Sequence, residues 1–378
     1  MRKWVAYVPL ALCATANAQS SVTLYGAVDS ALTWSSNQGG KTAWQTYSGG
    51  RAGDKWGLRG VEDLGDNLKA IFVLESGFSI ETGAAQPANT LFGRQAYVGL
   101  SGNSGNVWLG RQYSMTNDYF VPLSTSAIVA GGLGAPLGDI DGSWNYNKIS
   151  NVIKYETPVW HGFNGSAMLS LGGTPGDFSQ NRVYGFGGQY SNAGLTLAAA
   201  YMNMRNPATS IYGASAAPVA GATFANPVTN PIFANYVTAV SQQVAGGGAR
   251  YVWGRSQIAF LYDNIRFLDI VRTKSNPSAP PNAAFNDYQL TYSFNLTPAW
   301  MLGTAFQYSV APGSRYRTAS LGGAYSLSKS TYLYGIGIWQ HASGIDSTGH
   351  EAVANLFGLS PSSGANQSAV RFGLRHMF

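Results

Sequence analysis

Charged side chains offer the clearest prospect of chemistry in this sequence, and they are few. Asp, Glu, Lys and Arg make up 11% of the 378 residues, against about 25% in an ordinary soluble chain. Lys55 and Arg59 stand four apart, so on an extended chain both take the side opposite Trp56 and Leu58. Lys148 and Lys154 share a side opposite Ile149, Ile153 and Tyr155 in the same way. The segment from Met115 to Tyr146 carries Asp118, Asp139 and Asp141 and no cation. Cations on a wall facing carboxylates on a loop make and break no bonds. They set up a field that orders water, aligns dipolar solutes and favours ions of one sign. Nothing for covalent chemistry competes with this. His161, His341, His350 and His376 are scattered, and neither Gly-x-Ser-x-Gly nor His-Glu-x-x-His occurs. No enzyme, metal site or cofactor is expected.

The elements that must position these charges are strands. From Asp287 to Leu296, Tyr288, Leu290, Tyr292, Phe294 and Leu296 share one parity, and Gln289, Thr291, Ser293 and Asn295 the other. Ten residues of period two make a strand with one apolar and one wet face, about long enough to cross a bilayer at a tilt. Trp300, Leu302, Phe306, Tyr308 and Val310 repeat the pattern, as do Val22, Leu24 and Val28 near the start and Val370, Phe372 and Leu374 near the end. Turn-forming clusters lie at Glu62–Asn67, Ser101–Asn106, Pro158–Gly162, Ser191–Gly194, Thr297-Pro298 and Ser328–Ser330. Long Gly/Pro/Ala/Asn-rich stretches run from Met115 to Tyr146, Asn206 to Val244, Leu268 to Phe285 and Ser343 to Ser368. Short turns at one rim and long loops at the other suit an outer-membrane barrel. The expected fold is all-β: a transmembrane antiparallel β-barrel of 16 strands, with about 22 residues per strand and connection. Mean hydropathy of −0.06 beside 13% aromatics agrees with alternating faces that cancel. A soluble β-sandwich or propeller shares the pattern but needs a water-facing surface with about 25–35% charged residues. A cation on the lipid face costs about 2–4 kcal/mol at the midplane, so Lys55, Arg59 and Lys148 are expected to face the lumen.

Residues 1–18 read as a signal peptide: Arg2 and Lys3, an apolar stretch from Trp4 to Leu12, and the small-x-small site Ala16-Asn17-Ala18. Cleavage there leaves 19–378 as a single barrel domain. It removes the only cysteine, Cys13, and leaves 21 basic against 17 acidic residues, a charge of +4 that does not call for nucleic acid. A lipoprotein signal at Cys13 is the rival reading, opposed by bulky Leu12 before it.

Six blocks in order resemble the general porins of Gram-negative bacteria, the β-proteobacterial type in particular. They are Ser21–Gly26, Trp56–Gly65, Leu68–Phe78, Phe92–Ser101, Leu109–Tyr113 and Arg371–Phe378. The resemblance is dense in the first 100 residues and the last ten. It implies an outer-membrane homotrimer of sixteen-stranded barrels whose third long loop, here Met115 to Tyr146, folds inward. It further implies passive passage of ions and small hydrophilic solutes, and places Arg94 as a pore-lining arginine. Phe378 is similar to the terminal aromatic read by the barrel assembly machinery, and the barrel's outer face would meet outer-membrane lipid. With Lys55, Arg59, Arg94 and Lys148 against Asp118, Asp139 and Asp141, anion preference is expected. The strand after Arg94 puts Ala96, Val98 and Leu100 on the arginine's parity, as a subunit-facing strand would. A channel specific for anionic solutes, and a surface adhesin, are the alternatives. Inward aromatics such as Tyr25 do not form a ladder in the sequence, and Asn206–Val244 matches no part of the family pattern.

Overall fold

A computed structural model describes residues 20–144 and 148–378. Residues 1–19, which hold the expected signal peptide, Cys13 and the start of the mature chain, lie outside the described residues. So does the end of the long acidic loop, at Tyr146.

The chain forms one closed antiparallel sheet. Among the described residues, eighteen strand segments fill sixteen positions, because two positions are interrupted. They are β1 (Ser21–Gln38), β2 (Lys41–Ser48 resuming as Lys55–Gly65), β3 (Leu68–Phe78), β4 (Gln95–Gly102, with the short Ala85–Gln86 before it) and β5 (Gly105–Tyr113). Next come β6 (Lys148–Glu156), β7 (Phe163–Ser170), β8 (Val183–Asn192), β9 (Leu195–Arg205), β10 (Ala239–Trp253) and β11 (Ser256–Ile270). The last five are β12 (Asn282–Asn295), β13 (Trp300–Ala311), β14 (Ser314–Ser326), β15 (Thr331–Gly344) and β16 (Asn366–Met377). Pairing of Ala27–Ser35 with Ala369–Met377 closes β1 on β16. Closure satisfies every backbone ladder without an exposed edge, as hydrocarbon surroundings require. Among the described residues no helix is long and apolar enough to cross a membrane.

Side chains are distributed inside-out relative to a soluble protein. Leu24, Val98, Phe186, Leu290, Phe306 and Phe372 stand exposed on the outer face, while Gln289, Thr291, Gln307 and Gln340 are buried within. Water-soluble packing would invert that order. Aromatic pairs gather near the short turns, where Trp300 and Tyr325 lie 4.7 Å apart and Phe163 and Tyr190 4.5 Å apart. This is the interfacial girdle of a barrel.

The expected turns fall between the strands, but the strands beside the long loops run further than the alternation indicated. The stretch expected from Leu268 to Phe285 is reduced to residues 271–281, and β10 already begins at Ala239. The reason is that the inward positions there are not wet. Val244, Leu261, Ile265, Phe267 and Phe285 are buried against loop residues while Gln243, Asn264 and Arg266 take the outer parity, so the apolar side moves inward near this rim and the signal of a lipid-facing strand is lost. Residues 206–238, which the family pattern left unplaced, fold into this mouth. Phe233 and Tyr236 pack on Phe267, with ring centroids 6.5 and 6.2 Å away, and Asn235 donates to the Ser347 carbonyl at 2.9 Å. Two connections on the long-loop rim are tight, at 39–40 and 312–313, so the alternation of long and short is not strict.

Candidate functional site: the lumen and its inserted loop

After β5 the chain turns inward as a short helix, α1 (Met115–Phe120), capped by Ser114, whose hydroxyl accepts from the Asn117 amide at 3.2 Å. Short helical turns follow as far as Asp139. The loop crosses the barrel to touch β12 and β13 on the far wall. The Thr125 amide donates to Gln289 Oε1 (3.0 Å), and Gln307 Nε2 donates to the Gly134 carbonyl (2.6 Å). Close approach needs wall positions without side chains. A Cβ at Gly303 would come within 2.5 Å of Val129 Cγ2, and one at Gly322 within 2.7 Å of the Val129 carbonyl.

A second tether was not read from the sequence. The interruption of β2 at 49–54 lets Arg51 leave the wall, and its Nη2 donates to the carbonyls of Ala127 (3.3 Å) and Ile128 (2.8 Å). Bonds from a charged donor contribute about 1.5–3 kcal/mol each. Arg51→Ala is therefore expected to loosen the loop and raise open-channel current noise severalfold in single-channel recordings. Noise at the wild-type level would show that the loop does not depend on Arg51.

The basic residues occupy distinct surroundings. Lys55 and Arg94 meet on Glu75, which is only 1% exposed. Arg94 Nε donates to Glu75 Oε1 at 2.8 Å, and Lys55 Nζ lies 3.2 Å from Oε2. Tyr113 and Tyr25 hydroxyls donate to the same carboxylate at 2.8 and 3.0 Å. Sequence reasoning missed Glu75, although alternation held the signal: Phe72 and Leu74 face out, and Glu75 pairs in register with inward Gly57. Arg94 reaches the lumen for a different reason than parity. It precedes β4, so alternation does not govern it, while Ala96, Val98 and Leu100 behind it turn outward.

Lys148 sits over the Tyr113 ring, with Nζ 5.9 Å from the centroid, and the Arg94 guanidinium lies 5.7 Å from the same ring. Ile149, expected to face lipid, is instead buried among loop residues, and Ser150, on the parity of Lys148 and Lys154, is exposed. A left-handed Asn151 (φ 56°) and a register shift at Gly110/Gln112 swap the sides. Arg111 lies at the same irregularity, donating from Nη1 to Ser150 Oγ at 2.7 Å. Lys154 keeps its inward side and pairs with Asp118. Arg59 is exposed and makes no hydrogen bond or ion pair among the described residues.

Of the loop aspartates only Asp118 reaches water. Asp139 and Asp141 are 0% and 1% exposed, turned into the loop's packing, where Asp139 Oδ1 accepts from the Trp144 amide at 2.6 Å and Asp141 Oδ1 from the Ser143 amide at 3.2 Å. The wall answers with two more buried carboxylates, Asp263 and Asp287, paired in register on β11 and β12. The Phe378 backbone exchanges hydrogen bonds with Gly26 (2.9 and 3.1 Å), and its ring lies over that glycine.

A sixteen-stranded cylinder with a loop folded into a charged lumen is the arrangement of a diffusion channel. Residues 5–337 match the family model described as Gram-negative porin. The chain belongs to the Gram-negative porin family. This porin is 28% identical to outer membrane porin protein 32 of Delftia acidovorans over 99% of each chain. It is 32% identical to an outer membrane porin protein of Bordetella pertussis, over 50% of this chain and 52% of that one, so it spans about half the length of that relative. In fold it is similar to the anion-selective porin from Comamonas acidovorans, with a TM-score of 0.72 at 22% identity, covering 95% of this chain and 100% of the other. The porin is an outer-membrane channel through which small solutes diffuse.

Proposed function

We propose that the porin is a general diffusion channel with a preference for small anions, set by Lys55, Arg59, Arg94 and Lys148 on one wall of the lumen. The observation that carries this reading is the imbalance of charge facing water. Glu75 offsets one of Lys55 and Arg94, Lys154 offsets Asp118, Glu156 adds one more carboxylate beside Lys154, and Asp139 and Asp141 are withdrawn into the loop packing. Arg59 stays uncompensated at the water. An unpaired cation in a low-dielectric cleft raises the local concentration of anions. The structural neighbour from Comamonas acidovorans is described as anion-selective, which supports the same sign.

Arg59→Glu is the direct test, because it changes charge without unpairing a buried partner. In a tenfold KCl gradient across a planar bilayer, the reversal potential is expected to move towards the cation side. An unmoved potential would remove Arg59 from the selective zone.

The protein assembles, in this reading, as a homotrimer, as one neighbouring structure described as a trimer form of Vibrio cholerae OmpT does. Residues 1–18 are removed on export, residues 19–378 form the barrel, and Phe378, at the end of β16, is the feature read by the assembly machinery. The outer apolar face meets outer-membrane lipid. The buried apolar packing of residues 206–238 in the mouth disfavours the adhesin reading, because that long segment is committed to the barrel.

A further inference from the structure

Towards the short-turn end, the wall holds a recess of about 380 Å³ between β1 and β5, within the size of small-molecule sites. Tyr25, Tyr97 and Trp108 line it, with Arg59, Gln95 and the apolar side chains of Ile71 and Val73. The sequence offered no aromatic ladder because alternation shows which side a ring takes but not which rings on separate strands meet. The structure brings two of them together: Tyr97 and Trp108 lie 5.4 Å apart, centroid to centroid.

Two of the rings have been laid against the wall by glycine. Tyr25 pairs in register with Gly57, and Trp108 with Gly99. A Cβ at Gly57 would lie 2.8 Å from Tyr25 Cζ, and one at Gly99 2.5 Å from Trp108 Cε3. Each ring therefore covers its glycine and leaves a face to the lumen instead of projecting across it. Polar capacity here is narrow. The Tyr25 hydroxyl is already committed to Glu75, and that carboxylate is held by Lys55 and Arg94. The Arg59 guanidinium retains its donors. Glu156 lines the adjoining recess, which shares the Tyr97–Trp108 pair.

We propose that this recess is a binding subsite for a small planar aromatic carboxylate, whose ring rests on Tyr97 and Trp108 while its carboxylate takes the Arg59 fork. A planar guanidinium matches a carboxylate in a bidentate manner, and offset or edge contacts between rings add to burial on apolar surface. A sugar would bring several hydroxyls, none of which Ile71 and Val73 can pair, and would leave only Gln95, the Tyr97 hydroxyl and Arg59 to share among them. A simple anion would leave the rings unused. The inference rests on the channel reading and gives that channel a preferred solute class.

The test uses the full chain in a planar bilayer in KCl, with benzoate added to one side. Benzoate is expected to reduce the open current reversibly and in proportion to occupancy. Acetate, benzyl alcohol and maltose at equal concentration are expected to leave the current nearly unchanged. Trp108→Ala and Arg59→Gln are each expected to raise the half-blocking concentration at least tenfold. Equal block by acetate, block by maltose in place of benzoate, or variants with the wild-type half-blocking concentration would overturn the subsite. KCl currents without benzoate block would sink the subsite and leave the channel standing. If no current arises at all, the channel reading fails, and equilibrium dialysis of labelled benzoate against detergent-solubilised protein judges the subsite by itself. Retention that Trp108→Ala abolishes supports it, and no retention overturns it.

Discussion

Arg94→Ala is expected to lower the stability of the barrel more than any other single change in the basic row. Glu75 is almost wholly buried and takes its shortest cationic contact, 2.8 Å, from Arg94. Removing one partner of a buried pair costs about 3–5 kcal/mol, because the remaining charge stays out of water. Lys55, Tyr25 and Tyr113 still reach Glu75, so the loss should fall near the lower end of that range. Thermal unfolding in detergent, followed by far-UV circular dichroism, should show a clear drop in midpoint. Adding Glu75→Gln to the same chain should recover much of it, since removing both charges abolishes the unpaired ion. A single variant that melts with the wild type would mean that Glu75 does not depend on Arg94.

The second large effect is a dependence of loop docking on pH. Asp141 is buried with Oδ2 unpartnered, facing Asp263 and Asp287 on the wall. Burial pushes its carboxyl up to about 6, against hydrogen bonds from Ser143 and neighbouring amides that pull it down. A carboxyl raised in the docked state binds its proton more tightly there than when released. Docking is then fully supported below about pH 4, the ordinary aspartate range, and loses support as pH climbs to about 6. Two units of difference correspond to about 3 kcal/mol. Open-channel noise should therefore increase as the bath is taken from about pH 4 to about pH 7, and Asp141→Asn should make the rise shallower. Flat noise in the wild type, or an identical slope in the variant, would contradict the assignment.

What the sequence made legible was governed by local period. Strand faces, the count of sixteen, the tight turns and the inward side of Lys55, Arg59 and Lys154 all follow from side chains alternating about an extended backbone. That rule stops at an irregularity. One left-handed residue at Asn151 reverses Ile149 and Ser150, and nothing in their own chemistry announces it. Glu75 was within reach of the same alternation and was missed. Contacts made across the barrel left no local trace. Arg51 holds a loop 76 residues further on, and Asp139 and Asp141 are buried against carboxylates on strands more than a hundred positions away. The uncharged composition of residues 206–238 fits a segment packed into the mouth, but only its partners Phe267 and Phe285 show where.

Single-channel recording from the purified protein tests the existence of an aqueous passage most directly. A water-filled cylinder predicts discrete ohmic increments in KCl that arrive in groups of three equal substeps. Folded, membrane-inserted protein that passes no current would contradict it.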